Sequence, residues 1–278
     1  MDEGPLMTTT LDVLTFNLNN PGRERAERQL AYLAARPEPV LVLTETADSA
    51  GCDLLATRFE SAGYSVTFPR PKRGERGVMI VSRLATKPGP AETDYLPHRC
   101  VSVTVHTTYG SLDVIGLYVP SRDATEAKTD RKRTFLEQCQ SSLPQGWGYS
   151  MRVVIGDFNI LEPTHTPRYR FFQPFEYGFY EFLRAAGYQD AFRALHPDEL
   201  EYSWVGRTGD GYRYDHAHVS EPLAAVLHEC SYTHDVRIGD DRLTDHSALS
   251  VSLAVRPTTP LTVVPPLTVA AEPAPALF

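Results

Sequence analysis

Val153-Val154-Ile155-Gly156-Asp157-Phe158-Asn159 passes from three β-branched residues through a glycine to a carboxylate and an amide. A short apolar run of this kind reads as a buried strand, and a buried strand delivers the side chains just past its end to a cleft. The same arrangement recurs elsewhere. Leu11 to Phe16 is followed by Asn17 and Asn19, Val40 to Leu43 by Glu45, and the last strand, His246 to Val255, opens on Asp245 and His246. A single Asn or Asp after a strand is ordinarily a turn or helix cap, a lone Glu there is ordinarily solvated, and a His beside an Asp is a common surface pair. Those readings do not explain the same placement at four strand ends.

Between these strands the pattern alternates with helices. Arg23 to Ala35, about Asp53 to Ala62, Ala124 to Leu143 and Tyr177 to Ala186 have helical character, the first ended by Pro37 and Pro39 and the last by Gly187. Tyr64 to Phe68, Gly77 to Ser82, Cys100 to His106, Leu112 to Val119 and Tyr212 to Val219 are β-rich, and a Tyr-Gly-Ser turn joins the third and fourth as a hairpin. Strands in adjacent pairs with helices between the pairs favour an α/β sandwich over a regular doubly wound fold. After Arg256, six prolines among the last 22 residues mark Pro257 to Phe278 as a flexible or polyproline-like tail, or one that packs on the domain through its apolar content. The expected organisation is a leader over 1–10, one catalytic domain over 11–256 and a Pro-rich tail over 257–278.

The 278 residues, 42% hydrophobic and 22% charged, can bury a proper core, which excludes collagen-like, disordered and disulfide-scaffold classes. No apolar run is long enough for a membrane span. Cys52, Cys100, Cys139 and Cys230 show no paired spacing, so reduced thiols are expected; Met1 to Thr10 lacks a basic start and an apolar run, so a cytoplasmic location is expected, and the expected state is a monomer. With a net charge of -8 the whole protein repels polyanions, so nucleic acid must be met by local clusters. Arg70, Lys72, Arg73 and Arg76 form one, Lys128, Arg131, Lys132 and Arg133 a second, and Arg168 with Arg170 a third, unless each is simply a solvated face.

The strand-end residues supply carboxylate and amide oxygens and one imidazole. That set suits a hard divalent ion with a neighbouring acid or phosphate donor, and not a soft-metal cage.

Thr15-Phe16-Asn17-Leu18-Asn19, Leu43-Thr44-Glu45-Thr46, Gly77-Val78-Met79-Ile80-Val81-Ser82-Arg83, Leu117-Tyr118-Val119-Pro120, Gly156-Asp157-Phe158-Asn159, Tyr202-Ser203-Trp204, Arg213-Tyr214-Asp215 and Thr244-Asp245-His246 follow one another in order. In these segments the chain resembles the exonuclease III / AP endonuclease branch of the endonuclease/exonuclease/phosphatase superfamily. The resemblance implies a DNase I-like fold, a four-layer α/β sandwich with two central mixed sheets flanked by helices. It also implies a Mg2+-dependent phosphodiesterase acting on DNA, with Mn2+ as a substitute ion.

Carried over by position, the resemblance implies Glu45 as principal metal ligand with Asn17 and Asp245 nearby. Asp157 would orient or deprotonate the attacking water, Asn159 would bond the phosphate or the water, and His246, steadied by Asp215, would meet the phosphate. Tyr118 would lie against the phosphate or leaving oxygen. Asn19, Trp204, Arg213 and Tyr214 would contact substrate, Trp204 and Tyr214 offering aromatic faces unless they are core residues, and Arg73, Arg76, Arg168 and Arg170 would hold the backbone. The chain departs from the family pattern at Thr44, where Gln is common, at Ser121, where Asn is usual, and in a short stretch between Trp204 and Asp215. The alternatives are a phosphatase or phosphodiesterase acting on a small phosphoester or phospholipid head group, and a catalytically silent binding module. The last needs a lost catalytic position, and none is lost.

Overall fold

The computed structural model describes residues 10–166 and 169–269, so residues 1–9 of the leader, Pro167, Arg168 and the last nine residues lie outside the described residues. The chain runs through β1 (Leu11–Asn17), α1 (Arg23–Ala34), β2 (Val40–Thr46), α2 (Ala50–Ser61), β3 (Ser65–Thr67), β4 (Gly77–Ser82) and β5 (Lys87–Pro88). Then come β6 (Cys100–Thr107), β7 (Gly110–Tyr118), α3 (Glu126–Ser142), β8 (Met151–Asp157), α4 (Pro174–Ala185), β9 (Tyr188–Asp190) and α5 (Ala191–Leu195). The last part is β10 (Trp204–Val205), β11 (Gly211–Tyr212), β12 (Asp215–Ser220), α6 (Glu221–Ala224), β13 (Leu227–Thr233), α7 (Asp235–Ile238) and β14 (Ala248–Leu253).

Two six-stranded mixed sheets result, ordered β13-β14-β1-β2-β4-β3 and β5-β6-β7-β8-β12-β9. Each holds one parallel pair, β1 with β2 and β7 with β8, joined by the crossovers that carry α1 and α3. Alternate residues along each strand divide between two cores. Val13, Val42 and Leu249 meet Val114, Val153 and Ala217 between the sheets. Leu14, Phe16 and Leu43 turn outward under Leu30 and Phe59 of α1 and α2. Ile115 and Val154 do the same under Phe135 of α3 and Phe179 of α4. The layers are therefore helix, sheet, sheet, helix, as the resemblance implies. Gly116 faces the other sheet closely: a Cβ there would lie 2.8 Å from both Val42 and Val78.

The elements differ from the sequence expectation in local ways. Helix α2 begins earlier because the Ser49 hydroxyl accepts a hydrogen bond from Cys52 N. Helix α4 also begins earlier, with Pro174 in its first turn and a reciprocal Gln173–Glu176 capping box. Tyr212 to Val219 is not one strand: β11 and β12 belong to different sheets. Strand β13, absent from the expectation, is an edge strand in which only Cys230 is buried and the other side chains are half-buried or exposed, so it carries no apolar alternation to read.

The tail is docked over its described part. Bridges pair Thr107 with Pro257 and Leu84 with Pro260. Ala85 N donates to Thr259 O at 2.9 Å, Leu261 N to Arg83 O at 2.7 Å and Val264 N to Ala62 O at 2.9 Å, while Val263 and Val269 pack on the outer core. Prolines cannot donate to a ladder, but they accept, and the residues between them donate, so a Pro-spaced segment can line an edge. Among the described residues no helix is long and apolar enough to cross a membrane.

Candidate active site

Strands β1, β2 and β8 deliver their carboxyl ends to one edge of the sandwich. Parallel register sets Asn17 beside Thr44 and, in the other sheet, Tyr118 beside Asp157. Strand β2 then breaks register against β4 between Thr44 and Thr46, and Glu45 sits in the bulge with a φ of 53°. A bulge re-aims the side chain it carries, and a non-glycine residue held in the left-handed region is a strain that active sites commonly store. Gly156, with a φ of 146°, supplies the matching distortion before Asp157; a Cβ there would meet Leu117 O at 2.0 Å.

Asn17 clamps the two carboxylates. Its amide nitrogen donates to Glu45 Oε1 at 3.2 Å and to Asp157 Oδ2 at 3.1 Å, while its Oδ1 accepts from Asn19 N at 2.8 Å. Asn17 was expected to be a metal ligand; here it is a donor, and turning the amide over would set its NH2 against the Asn19 N–H. Glu45, Asp157 and His246 form the tight group, with one ligand-type atom from each within 4.8 Å of the others. Asp245, expected beside Glu45, stands outside that group. Asn19 Nδ2 holds it at 2.8 Å and Trp204 Nε1 at 3.3 Å.

His246 is buried, and its Nδ1 lies 2.7 Å from Asp215 Oδ2. Desolvation opposes the charged imidazolium, but Asp215, followed by Asp157 and Asp245, outweighs it and raises the pKa to about 10. The imidazolium is therefore the resting form at neutral pH, and its remaining N–H is free for an anion. Asp157 is fully buried, and desolvation, with Asp215 and Glu45 nearby, pushes its carboxyl well up against the opposing pull of His246. Three acidic groups, Glu45, Asp157 and Asp215, meet one imidazolium, an excess of acid over base. Together with the hard oxygens of Glu45 and Asp157, that excess fits a divalent cation.

Tyr118 is buried, with Arg99 over its ring at 4.6 Å. Desolvation, reinforced by Glu45 and Asp157, raises its phenol well above the usual range, so the group is a donor. Asn159, at a φ of 49°, gives one amide N–H to Val119 O at 3.1 Å, and its own backbone N–H donates to Asp157 Oδ1 at 2.9 Å. The Asn159 carbonyl accepts from Lys132 Nζ at 2.6 Å, and Lys132 also pairs with buried Glu176 at 2.6 Å. Lys132, read from the sequence as part of a basic cluster, thus fixes the loop after β8. The signal was available: Lys132, Phe135, Leu136 and Cys139 share the buried face of α3.

Arg213 was expected to contact substrate, and the structure corrects this. It is 0% exposed and bonded to Glu162 at 2.8 Å and Asp190 at 2.7 Å. Burial alternates from Gly211 to Asp215, with Gly211, Arg213 and Asp215 buried and Tyr212 and Tyr214 half-buried. The second basic cluster is also internally neutralised: Lys128 pairs with Asp123, Arg131 with Glu75, Lys132 with Glu176 and Arg133 with Asp130. Arg70 pairs with Asp53. Arg73, Arg76 and Arg170 form no ion pair with another described residue, and Arg73 and Arg170 are exposed.

This arrangement, two carboxylates and an Asp-supported imidazolium at one edge of a double-sheet sandwich, defines a metal-dependent phosphodiester hydrolase. Residues 14–246 match the endonuclease/exonuclease/phosphatase family, and the chain belongs to it. It is 25% identical over 264 residues to exodeoxyribonuclease III of Haemophilus influenzae, covering 85% of this chain and 97% of that one. Among solved structures it is similar to the 3′ phosphatase NExo from Neisseria bound to product DNA hairpin, with a TM-score of 0.74, 22% identity, and 87% and 99% of the two chains covered. An AP endonuclease from Archaeoglobus fulgidus gives a TM-score of 0.73 and 24% identity, again covering 87% and 99%.

Proposed function

We propose that the protein is a magnesium-dependent nuclease that hydrolyses phosphodiester bonds in DNA. The observation that carries this reading is the convergence of Glu45, Asp157 and the Asp215–His246 pair at one sheet edge. Glu45, with Asp157 beside it, would hold the cation; when bound, it supplies Lewis-acid polarisation of the phosphate. Asp157, whose proton affinity is raised, takes the proton of the attacking water. His246 donates from its free ring nitrogen to the phosphate as negative charge grows there, and Tyr118 adds a neutral donor. Asn17 keeps the carboxylates in place, and Lys132 keeps Asn159 in place. Phosphodiester hydrolysis is largely a matter of positioning and charge neutralisation, and these residues supply both.

The names of the similar proteins, an exodeoxyribonuclease and an AP endonuclease among them, support DNA as the substrate. Exposed Arg73 and Arg170, with Arg76, are cations available to a phosphate backbone. The neutralisation of the second basic cluster favours a smaller phosphoester instead. A substrate panel with magnesium separates the two: abasic duplex, recessed duplex, single strands, RNA and small phosphoesters. Turnover of a DNA member well above all small esters supports the proposal, and turnover confined to small esters overturns it. Four buried free thiols accord with a cytoplasmic enzyme.

A further inference from the structure

One buried carboxylate joins three loops. Glu176, in the first turn of α4, is 0% exposed; its Oε2 accepts from Gln173 N at 2.8 Å and from Arg122 Nε at 3.1 Å, and its Oε1 accepts from Lys132 Nζ at 2.6 Å. Burial opposes ionisation of Glu176, but Arg122 and Lys132 prevail and hold its carboxyl below the usual range. The capping box needs only the bond from Gln173. It does not account for the two cations.

Each cation reaches a different loop. Lys132 holds the Asn159 carbonyl after β8, and Asn159 Nδ2 donates to Val119 O in the loop after β7. Arg122 belongs to that second loop, between exposed Ser121 and Asp123, yet its side chain is only 2% exposed. Its NH2 donates to Phe171 O, and its Cζ lies 4.2 Å from the centre of the Phe171 ring. Residues 169–172 belong to no helix or strand, and no backbone hydrogen bond joins them to another described residue. Arg122 therefore ties down the backbone next to exposed Arg170.

We propose that Arg122 is a positioning residue for DNA binding, an inference that rests on the DNA reading above. Through Phe171 it sets where Arg170 meets the phosphate backbone, and through Glu176 and Lys132 it keeps that contact in register with Asn159. Arg122 itself does not reach the substrate, because its side chain is buried and its three nitrogens already donate to Glu176, Asp123 O and Phe171 O. A cation ordered in advance loses less on binding than one on a free loop.

The test uses the full chain with magnesium and a labelled DNA duplex. KM and kcat are measured at several salt concentrations for wild type, Arg122→Lys, Arg122→Ala, Arg170→Ala and the variant carrying both alanines. Arg122→Ala and Arg170→Ala should each raise KM about tenfold, the scale of one charged hydrogen bond. Each should also lower the salt slope of binding by about one phosphate contact, and the effect should fall on KM rather than kcat. A buried cation can flatten that slope only by acting through an exposed one. Arg122→Lys keeps a charge against Glu176 but not the planar fork that also spans to Phe171 O, so it should melt with wild type and still show a raised KM; a role in charge balance alone would leave its KM at the wild-type value. The double variant should be no worse than the poorer single one, because both changes remove the same contact. Effects that multiply in the double variant, an unchanged KM in both Arg122 variants, or a loss confined to kcat overturns the proposal. If wild type cleaves DNA and the Arg122 variants match it, the positioning role alone falls. If wild type cleaves no DNA, the nuclease reading falls with it.

Discussion

Asp215 Oδ2 lies 2.7 Å from His246 Nδ1, and both residues are buried. The carboxylate fixes the ring orientation and keeps the imidazole protonated, so the other ring nitrogen is a donor. Asp215→Asn should lower kcat by about 100-fold or more, the lower end of what acid–base groups contribute. Protonated His246, with its pKa raised to about 10, sustains activity into alkaline pH. Removing the anion lowers the pKa, so the alkaline fall in the rate profile should move to lower pH. An unchanged alkaline limb would remove His246 from the role given to it.

Arg213 should matter for stability. Its guanidinium is buried between Glu162 and Asp190, and removing one partner of a buried pair typically costs about 3–5 kcal/mol because the others are left uncompensated. Arg213→Ala should unfold at markedly lower denaturant than wild type. A variant with wild-type stability and a raised KM would restore Arg213 to substrate binding.

The same cluster predicts a pH dependence. Burial opposes ionisation of Glu162, but Arg193 and Arg213 prevail and hold its pKa at about 2, below the 4.5 of a free carboxyl. The unfolded chain therefore takes up a proton that the folded one refuses. The stabilisation is present above about pH 4.5 and is lost as pH falls toward 2. Glu162→Gln should flatten this part of the curve of unfolding free energy against pH; an unchanged slope would contradict it.

Truncation after Arg256 removes the backbone hydrogen bonds of Leu261 and Val264 and the packing of Val263 and Val269. At about 1 kcal/mol net per hydrogen bond, a loss of about 2 kcal/mol is expected. For a chain of this size that is a fall in Tm of roughly 4–8 °C. A calorimetric Tm equal to that of the full chain would show the contacts to be inconsequential.

The two sheets were legible because buried strands are apolar and short, and the site was legible because polar residues repeat at their ends. Arg213 misled because its partners lie 51 and 23 residues away in the chain; a charge looks solvated until the fold brings its counterions. Strand β13 escaped because a partly exposed edge has no apolar alternation, and the favoured reading of a flexible tail does not hold over residues 257–269 because proline spacing reads the same in a free tail and in an edge segment. Asn17 shows a finer limit. Its place in the site was evident, but whether it offers oxygen or nitrogen depends on the Asn19 N–H that occupies its carbonyl.

Initial rates on a labelled DNA substrate, for wild type, Glu45→Gln and Asp157→Asn, each with magnesium and with EDTA, test the site most directly. Wild type should turn over only with the cation, and both variants should lose about 100-fold or more, as expected when a hard-cation ligand or a proton acceptor is removed. Their melting temperatures should match or exceed that of wild type, because each change removes one acidic group from a crowded acidic cluster. Full turnover in EDTA, or near-wild-type rates in either variant, would contradict a cation-dependent hydrolysis built on Glu45 and Asp157.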